Sequence, residues 1–190
     1  MSKDLALVVN LFGAPGSGKS TMRSGIFHRL KSVGVSVEEV VEFAKDLTWE
    51  KRIEALRCQP YVFGEQLWRM VRLREQVDVV VTDSPLLLSY FYGFVMYPSV
   101  WPESFYRSVV EVHHGQQPQL NFFIERMKPY VQRGRNETEE EAVKVDLALR
   151  LVLSDLEVPF VVVPGTSATA DAIAEKISST LSARTSPTVR

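Results

Sequence analysis

Leu5 to Phe12 is a run of leucine and β-branched residues without polar alternation, as in a strand covered on both faces. It leads directly into "GAPGSGKST", Gly13 to Thr21, and then into Met22, Ile26, Leu30 and Val33 at helical spacing, closed by Gly34. Strand, glycine-rich turn and amphipathic helix in that order leave few folds open. Gly13, Gly18, Lys19 and Ser20 meet the pattern G-x-x-x-x-G-K-[ST]. Glycines let successive backbone N–H groups turn inward, and the positive end of the helix that follows faces the same point. The stretch Gly13, Ala14, Pro15, Gly16, Ser17, Gly18, Lys19, Ser20, Thr21 is therefore read as a cradle for the phosphates of ATP. Lys19 would bridge the β- and γ-phosphates, and Ser20 would give its hydroxyl oxygen to Mg²⁺.

Four more buried strands are expected, in "VSVEEVVEF", "VDVVVTD", "LNFFIE" and "VPFVVVPG", each followed by helical patterning. "DLTWEKRIEALR" reads as a helix capped by Asp46, Pro60 breaks the chain before the next, and "SATADAIAEKISSTL" closes the fold through Ile173, Ile177 and Leu181. Alternating strands and helices imply one α/β domain of the P-loop NTPase type over 1–183, a five-stranded parallel sheet with helices on both faces. A lid segment is expected over 126–137, and a disordered tail over 184–190.

With 190 residues the chain suits a single domain. A formal net charge of −1 gives no global basic field for nucleic acid, though a local patch would suffice. One cysteine, Cys58, forms no intrachain disulfide and suits a reducing cytoplasm. No N-terminal signal is visible, and "LLLSYFYGFVMY" (86–97) is shorter than the roughly 20 residues of a membrane span, so no membrane partner is expected. His113 and His114 have no second pair and one cysteine to join them, so they read as a surface helix end rather than a zinc site. Oligomeric state is not legible.

The rest of the sequence bears on the fate of the γ-phosphate. A motor ATPase has a water-activating glutamate after its strand-end aspartate, but Asp83 is followed by Ser84. A GTPase switch needs D-x-x-G there and N-K-x-D elsewhere, and neither occurs. A kinase must exclude water and surround the transferring phosphoryl group with cations. Arg126, Lys128, Arg133 and Arg135, after the fourth strand, supply such a lid, with Arg133 and Arg135 as its catalytic cations. The reading is an ATP-dependent phosphotransferase with an alcohol acceptor. Asp83 would hold Mg²⁺ and could also act as base, while Glu42 could orient or deprotonate the acceptor, with Lys45 beside it.

These residues resemble the small P-loop kinases of the nucleoside- and nucleotide-kinase group, particularly short bacteriophage versions. "EFAKDL" is similar to the E-[YF]-A-[RK] stretch of nicotinamide-riboside-kinase-type domains; "QPYVFGEQLWRMVRL", with Gln66, and "QRGRNETEEEA" are similar to that group's second and lid segments. The likeness spans most of 5–165 and implies that Gln66 and Arg69 join Glu42 and Lys45 around the acceptor, and that "PGTSA" from Pro164 lies against adenine. Thymidylate-kinase-like enzymes place an arginine after the aspartate to grip an acceptor phosphate. Ser84 stands there instead, which favours a neutral hydroxyl. Phage kinases of this kind include enzymes that phosphorylate the hydroxymethyl group of 5-hydroxymethyluracil within DNA, a step toward hypermodified thymidines. The resemblance makes that the specific acceptor expected, in host cytoplasm. A free nucleoside, nucleotide or nicotinamide riboside is the alternative, and an ATPase module without acceptor the third reading.

A DNA acceptor finds some support between Lys45 and Glu75, where seven basic residues face five acidic ones. Arg69 and Arg72 share a helix face, and Trp49, Tyr61 and Trp68 could stack on a base, although tryptophans at helical spacing are more often core. A base within a duplex would first have to be flipped out.

Overall fold

The five apolar runs do form strands, and every strand pair is parallel. The computed structural model describes residues 5–96 and 101–185. Along the chain lie β1 (Leu7–Phe12), α1 (Lys19–Ser32), β2 (Val37–Val40), α2 (Phe43–Trp49), α3 (Ile53–Arg57), α4 (Gln59–Val71) and β3 (Val79–Thr82). Then come α5 (Leu88–Tyr90), continued by a π-helical stretch over Phe91–Met96, α6 (Glu103–His114), β4 (Gln119–Glu125), α7 (Glu139–Asp155), β5 (Val161–Pro164) and α8 (Ser167–Thr185). The sheet order is β2-β3-β1-β4-β5, so β1 is central and the phosphate loop leaves from the middle of the carboxyl edge. Val8 pairs with Gln119 on one side, and Leu7 with Val79 on the other.

The two faces of β1 divide the core. Leu7, Val9 and Leu11 pack with Met22, Ile26 and Leu30 of α1 and with Ala170, Ile173 and Ile177 of α8. On the opposite face Val8 meets Met70 of α4, and Phe12 meets Phe91, Val145 and Leu149. Asn10 interrupts that second face. Its Nδ2 donates to Gln119 Oε1 and Asn121 Oδ1, both at 2.9 Å, and Asn121 Nδ2 donates to Pro159 O at 3.0 Å. This ladder of amides ties the two central strands to the segment before β5. Net, each bond contributes about 1 kcal/mol, and it fixes the register more than it stabilises the fold.

Several local expectations are corrected. Asp46 does not cap a helix: α2 starts earlier, at Phe43, and Asp46 lies in its first turn with its carboxylate turned to Arg69 at 3.1 Å. The expected single helix breaks at Lys51, which adopts φ 57°, and resumes as α3. Pro60 sits in the first turn of α4, where its missing N–H costs nothing. Val33 is 70% exposed at the end of α1, outside the stripe, while Gly34 closes that helix at φ 84° as expected. His113 is not a surface residue. It is fully buried edge-on to Phe12, 5.9 Å between ring centroids, and neither ring nitrogen has a hydrogen-bond partner among the described residues. Of this pair, His114 is the exposed one. Among the described residues no group of histidine, cysteine and carboxylate side chains could hold a metal, and no helix is long and apolar enough to cross a membrane. α8 runs into the tail expected over 184–190, as far as Thr185; the rest of that tail, 186–190, and residue 97 at the end of the apolar run lie outside the described residues.

Burial, with the nearby His114 adding to it, lowers the His113 pKa from 6.5 to about 4. The unfolded chain therefore takes up a proton between these values that the folded protein refuses, so stability falls as pH drops through this window. From pH 7.5 to 5 this residue is expected to cost about 2 kcal/mol. Urea unfolding at the two pH values should show a drop smaller by that amount in His113→Leu than in the native protein.

Candidate functional site

The phosphate loop is seated against the ends of β4 and β5. Gly13 has φ 141°, and a Cβ there would stand 2.7 Å from Ile124 O and from Ser17 Oγ, so only glycine fits. Gly18, at φ 100°, is the N-cap of α1, and the loop turns directly into the helix. Lys19 folds back over the loop, its Nζ donating to Gly13 O at 2.7 Å and to Ala14 O at 3.1 Å. Burial pushes the Lys19 pKa down, opposed by the carboxylates of Glu42, Asp83 and Glu137. Ser20 is half-buried and Thr21 exposed at the start of α1. Gly165, after β5, packs on Ser17 O, which places "PGTSA" beside the loop.

Two carboxylates reach the site from neighbouring strands. Asp83 follows β3 and is 1% exposed. Its Oδ1 accepts from Arg23 Nη1 at 2.8 Å, and Arg23 Nε donates to Glu39 Oε2 at 2.9 Å. Arg23 stands four residues after Lys19, one turn along α1, and was not singled out from sequence. The signal was there, since i and i+4 share a helix face. Its charge offsets the burial of Asp83, leaving the second carboxylate oxygen without a hydrogen bond among the described residues. Asp83 and the Ser20 hydroxyl are hard oxygen donors of the kind Mg²⁺ takes alongside substrate phosphates.

Glu42 is the N-cap of α2, but its side chain does not cap. Gln66 takes over that role: its Oε1 accepts from Phe43 N at 3.1 Å, and its Nε2 reaches Thr82 Oγ1 at 3.5 Å. Thr82 Oγ1 in turn accepts from Ser84 N at 3.1 Å. Gln66 thus braces the start of α2 against the end of β3, holding Glu42 and Asp83 in fixed relation. Burial raises the Glu42 pKa, opposed mainly by Lys19. Lys45, half-buried on α2, also acts on Glu42 electrostatically.

The segment expected as a lid, 126–137, lies between the end of β4 and Thr138, whose side chain caps α7 in a reciprocal box with Glu141. Tyr130 lies over the phosphate loop, its ring 2.9 Å from where a Cβ on Gly16 would stand. Arg126 and Arg135 each stack on that ring at 5.4 Å. Tyr130 Oη donates to Glu137 O, and Arg135 donates to Val131 O. The tip docks on α2: the Trp49 ring fills the place of a Cβ at Gly134, 2.6 Å away, and Asn136 Nδ2 donates to Thr48 Oγ1 at 3.1 Å. Gly134, at φ 75°, is therefore fixed twice, by its backbone and by the approaching indole. Arg133 is exposed and has no partner among the described residues. Tyr130 and Trp49 were missed as lid contacts, since sequence gives no hint of which side chains a loop will meet.

Arg69 and Gln66, expected around the acceptor, are engaged with the protein itself. Gln66 is buried in its brace, and Arg69 pairs with Asp46 at 3.1 Å and Glu65 at 3.0 Å while stacking on Phe43 at 4.9 Å. Trp68 is 63% exposed, not core, and Trp49 and Tyr61 are exposed too. Trp68, Arg69 and Arg72 line a hollow of about 380 Å³ with Glu39, Val40, Val41 and Glu65.

Residues 8–170 match the family described as AAA domain, and the chain belongs to this P-loop NTPase-type family. No curated protein matches the chain.

Breaking the Arg23–Asp83 pair leaves a buried charge unpaired. Arg23→Met is expected to lower stability by about 3 kcal/mol, and adding Asp83→Asn should recover part of it. Urea midpoints of the single and double variants measure this.

Proposed function

We propose that the protein is an ATP-dependent kinase that passes the γ-phosphate to a hydroxyl of a nucleoside-type acceptor. The observation that carries this reading is the pairing of a cationic lid, folded over the phosphate loop at Gly16, with a second carboxylate, Glu42, whose pKa is raised beside Lys19. A motor or switch needs no cover of this kind, whereas a transferase must keep water from a phosphoryl group in flight.

The acceptor hydroxyl enters between Glu42 and the loop. Its oxygen attacks the γ-phosphorus, a new O–P bond forms, the β,γ-bridging P–O bond breaks, and ADP leaves. The proton goes to the Glu42 carboxylate, which its raised pKa makes a stronger base than an ordinary surface glutamate. Lys19 and Arg135 face the phosphates, and Arg133, unpaired at the lid tip, can swing onto them. Ser20 and Asp83 would hold Mg²⁺, which would supply charge neutralisation at the phosphates. Asp83, already engaged by Arg23, serves as metal holder rather than base. Gln66 and Arg69 act as braces that position Glu42 and α2.

For the acceptor itself, the resemblance to phage kinases favours the hydroxymethyl group of 5-hydroxymethyluracil in DNA. The exposed Trp68 beside Arg72 is the surface feature that agrees with a nucleic-acid partner. A free nucleoside, nucleotide or nicotinamide riboside is the alternative. Family membership alone is equally compatible with an ATPase. Transfer of labelled γ-phosphate to hydroxymethylated DNA, ordinary DNA and a pool of free nucleosides and nucleotides tests these side by side. Label only on the modified DNA supports the specific acceptor, label on a free compound replaces it, and label only in inorganic phosphate defeats the kinase reading.

Four variants test the roles assigned here. Lys19→Ala is expected to lose about 10³-fold in turnover. Glu42→Gln should lose about 10²-fold or more with ATP affinity unchanged. Its acid limb should vanish as well: native kcat falls as pH drops through the Glu42 pKa, which lies above the usual 4.5. Arg133→Ala and Arg135→Ala should lower kcat more than ATP affinity, since lid cations act mainly on the transition state. Steady-state kinetics across pH, with nucleotide binding measured separately, checks all of these.

A further inference from the structure

Where the end of α6 covers β1, four buried polar atoms lie together without partners. Asn10 and His113 are 0% exposed and Gln116 is 2% exposed. Asn10 Oδ1, Gln116 Oε1 and both ring nitrogens of His113 make no hydrogen bond among the described residues. Val8 and Phe12 flank Asn10 on one face of β1. His113 stands against Phe12, and Gln116 Nε2 lies 3.8 Å from Sδ of Met70, which packs with Val8. Gln116 N donates to His113 O at 3.2 Å, so the two side chains leave the same turn. Asn10 lies between them.

Turning the amides over does not relieve the site. Asn121 Nδ2 is committed to Pro159 O at 3.0 Å and Gln119 Nε2 to His113 O at 3.4 Å. Their oxygens therefore both accept from Asn10 Nδ2. Asn10 Oδ1 is thereby turned away from β4, toward the side where Met70 packs with Val8 and Val80. His113 is neutral, since burial lowers its pKa to about 4. A neutral imidazole offers one N–H and one acceptor nitrogen. The cluster thus holds three acceptors and a single donor. Rotating its side chains onto one another satisfies one acceptor at most, so the remaining hydrogens must come from outside the cluster.

We propose that a water molecule is bound in the core at this point, donating to Asn10 Oδ1 and Gln116 Oε1 and accepting from the His113 N–H. Three bonds to otherwise unpaired groups are the usual complement of an internal water. An anion would face three acceptors, and a cation would find no carboxylate in the cluster to offset its charge. Water is the occupant this chemistry selects. It ties the end of α6 to β1, the strand that runs into the phosphate loop.

A crystal structure of the native chain that resolves ordered solvent tests this directly. One water is expected about 3 Å from Asn10 Oδ1, Gln116 Oε1 and a His113 ring nitrogen, cut off from bulk solvent. In solution, relaxation dispersion of water oxygen-17 should count one long-lived water fewer in His113→Phe, which keeps a ring and removes the polar atoms. Should that variant not fold, cross-relaxation between long-lived water and the His113 ring protons of the native chain takes its place, and a signal is expected. A direct bond from His113 to either amide oxygen with no water density would overturn the proposal. So would an unchanged water count in a folded His113→Phe, or native ring protons that see no bound water.

Discussion

The ammonium of Lys19 sits where the protein least favours a charge and most needs one. Burial at the carboxyl edge of the sheet opposes it, and the carboxylates of Glu42, Asp83 and Glu137 sustain it. Each of those groups comes from a different part of the chain: the end of β2, the end of β3, and the lid. Their convergence on one cation is what the fold has to secure. Gln66 secures the first by linking Phe43 N to Thr82. Arg23 secures the second by pairing with Asp83 from within α1. Trp49 and Thr48 secure the third by holding the lid tip on α2.

The same residues that assemble the site thus tie α1, α2, α4, β3 and the lid together, so stability and function share their contacts. Lys19 donates to Gly13 O and Ala14 O, and Tyr130 lies on Gly16 with Arg126 and Arg135 stacked on its ring.

Strand and phosphate-loop identity were legible because both rest on local chemistry: unbroken apolar runs for a doubly covered sheet, and glycines where the backbone must turn. The basic cluster after β4 was legible as a loop, and the contacts that Arg126 and Arg135 make with Tyr130 were not. What escaped was set by distant partners. Asp46 reads as a cap until Arg69 is seen to hold it. Arg23 reads as an ordinary helix charge until Asp83 and Glu39 are found around it. His113 reads as a polar helix end because nothing nearby in sequence announces that Phe12 covers it. Trp68, which helical spacing favours placing in the core, lies open to solvent.

The claim that matters most is that the covered phosphate loop directs the γ-phosphate to an acceptor and not to water. It is tested most directly by measuring ADP formation by the native chain with Mg²⁺ and ATP, first alone and then with each acceptor class in turn. Turnover rising by about 10²-fold or more with one acceptor, with label recovered on that compound, is the outcome expected of a kinase. Rapid ADP formation that no acceptor changes, with all label in inorganic phosphate, would make the protein an ATPase and leave Glu42 as the activator of water.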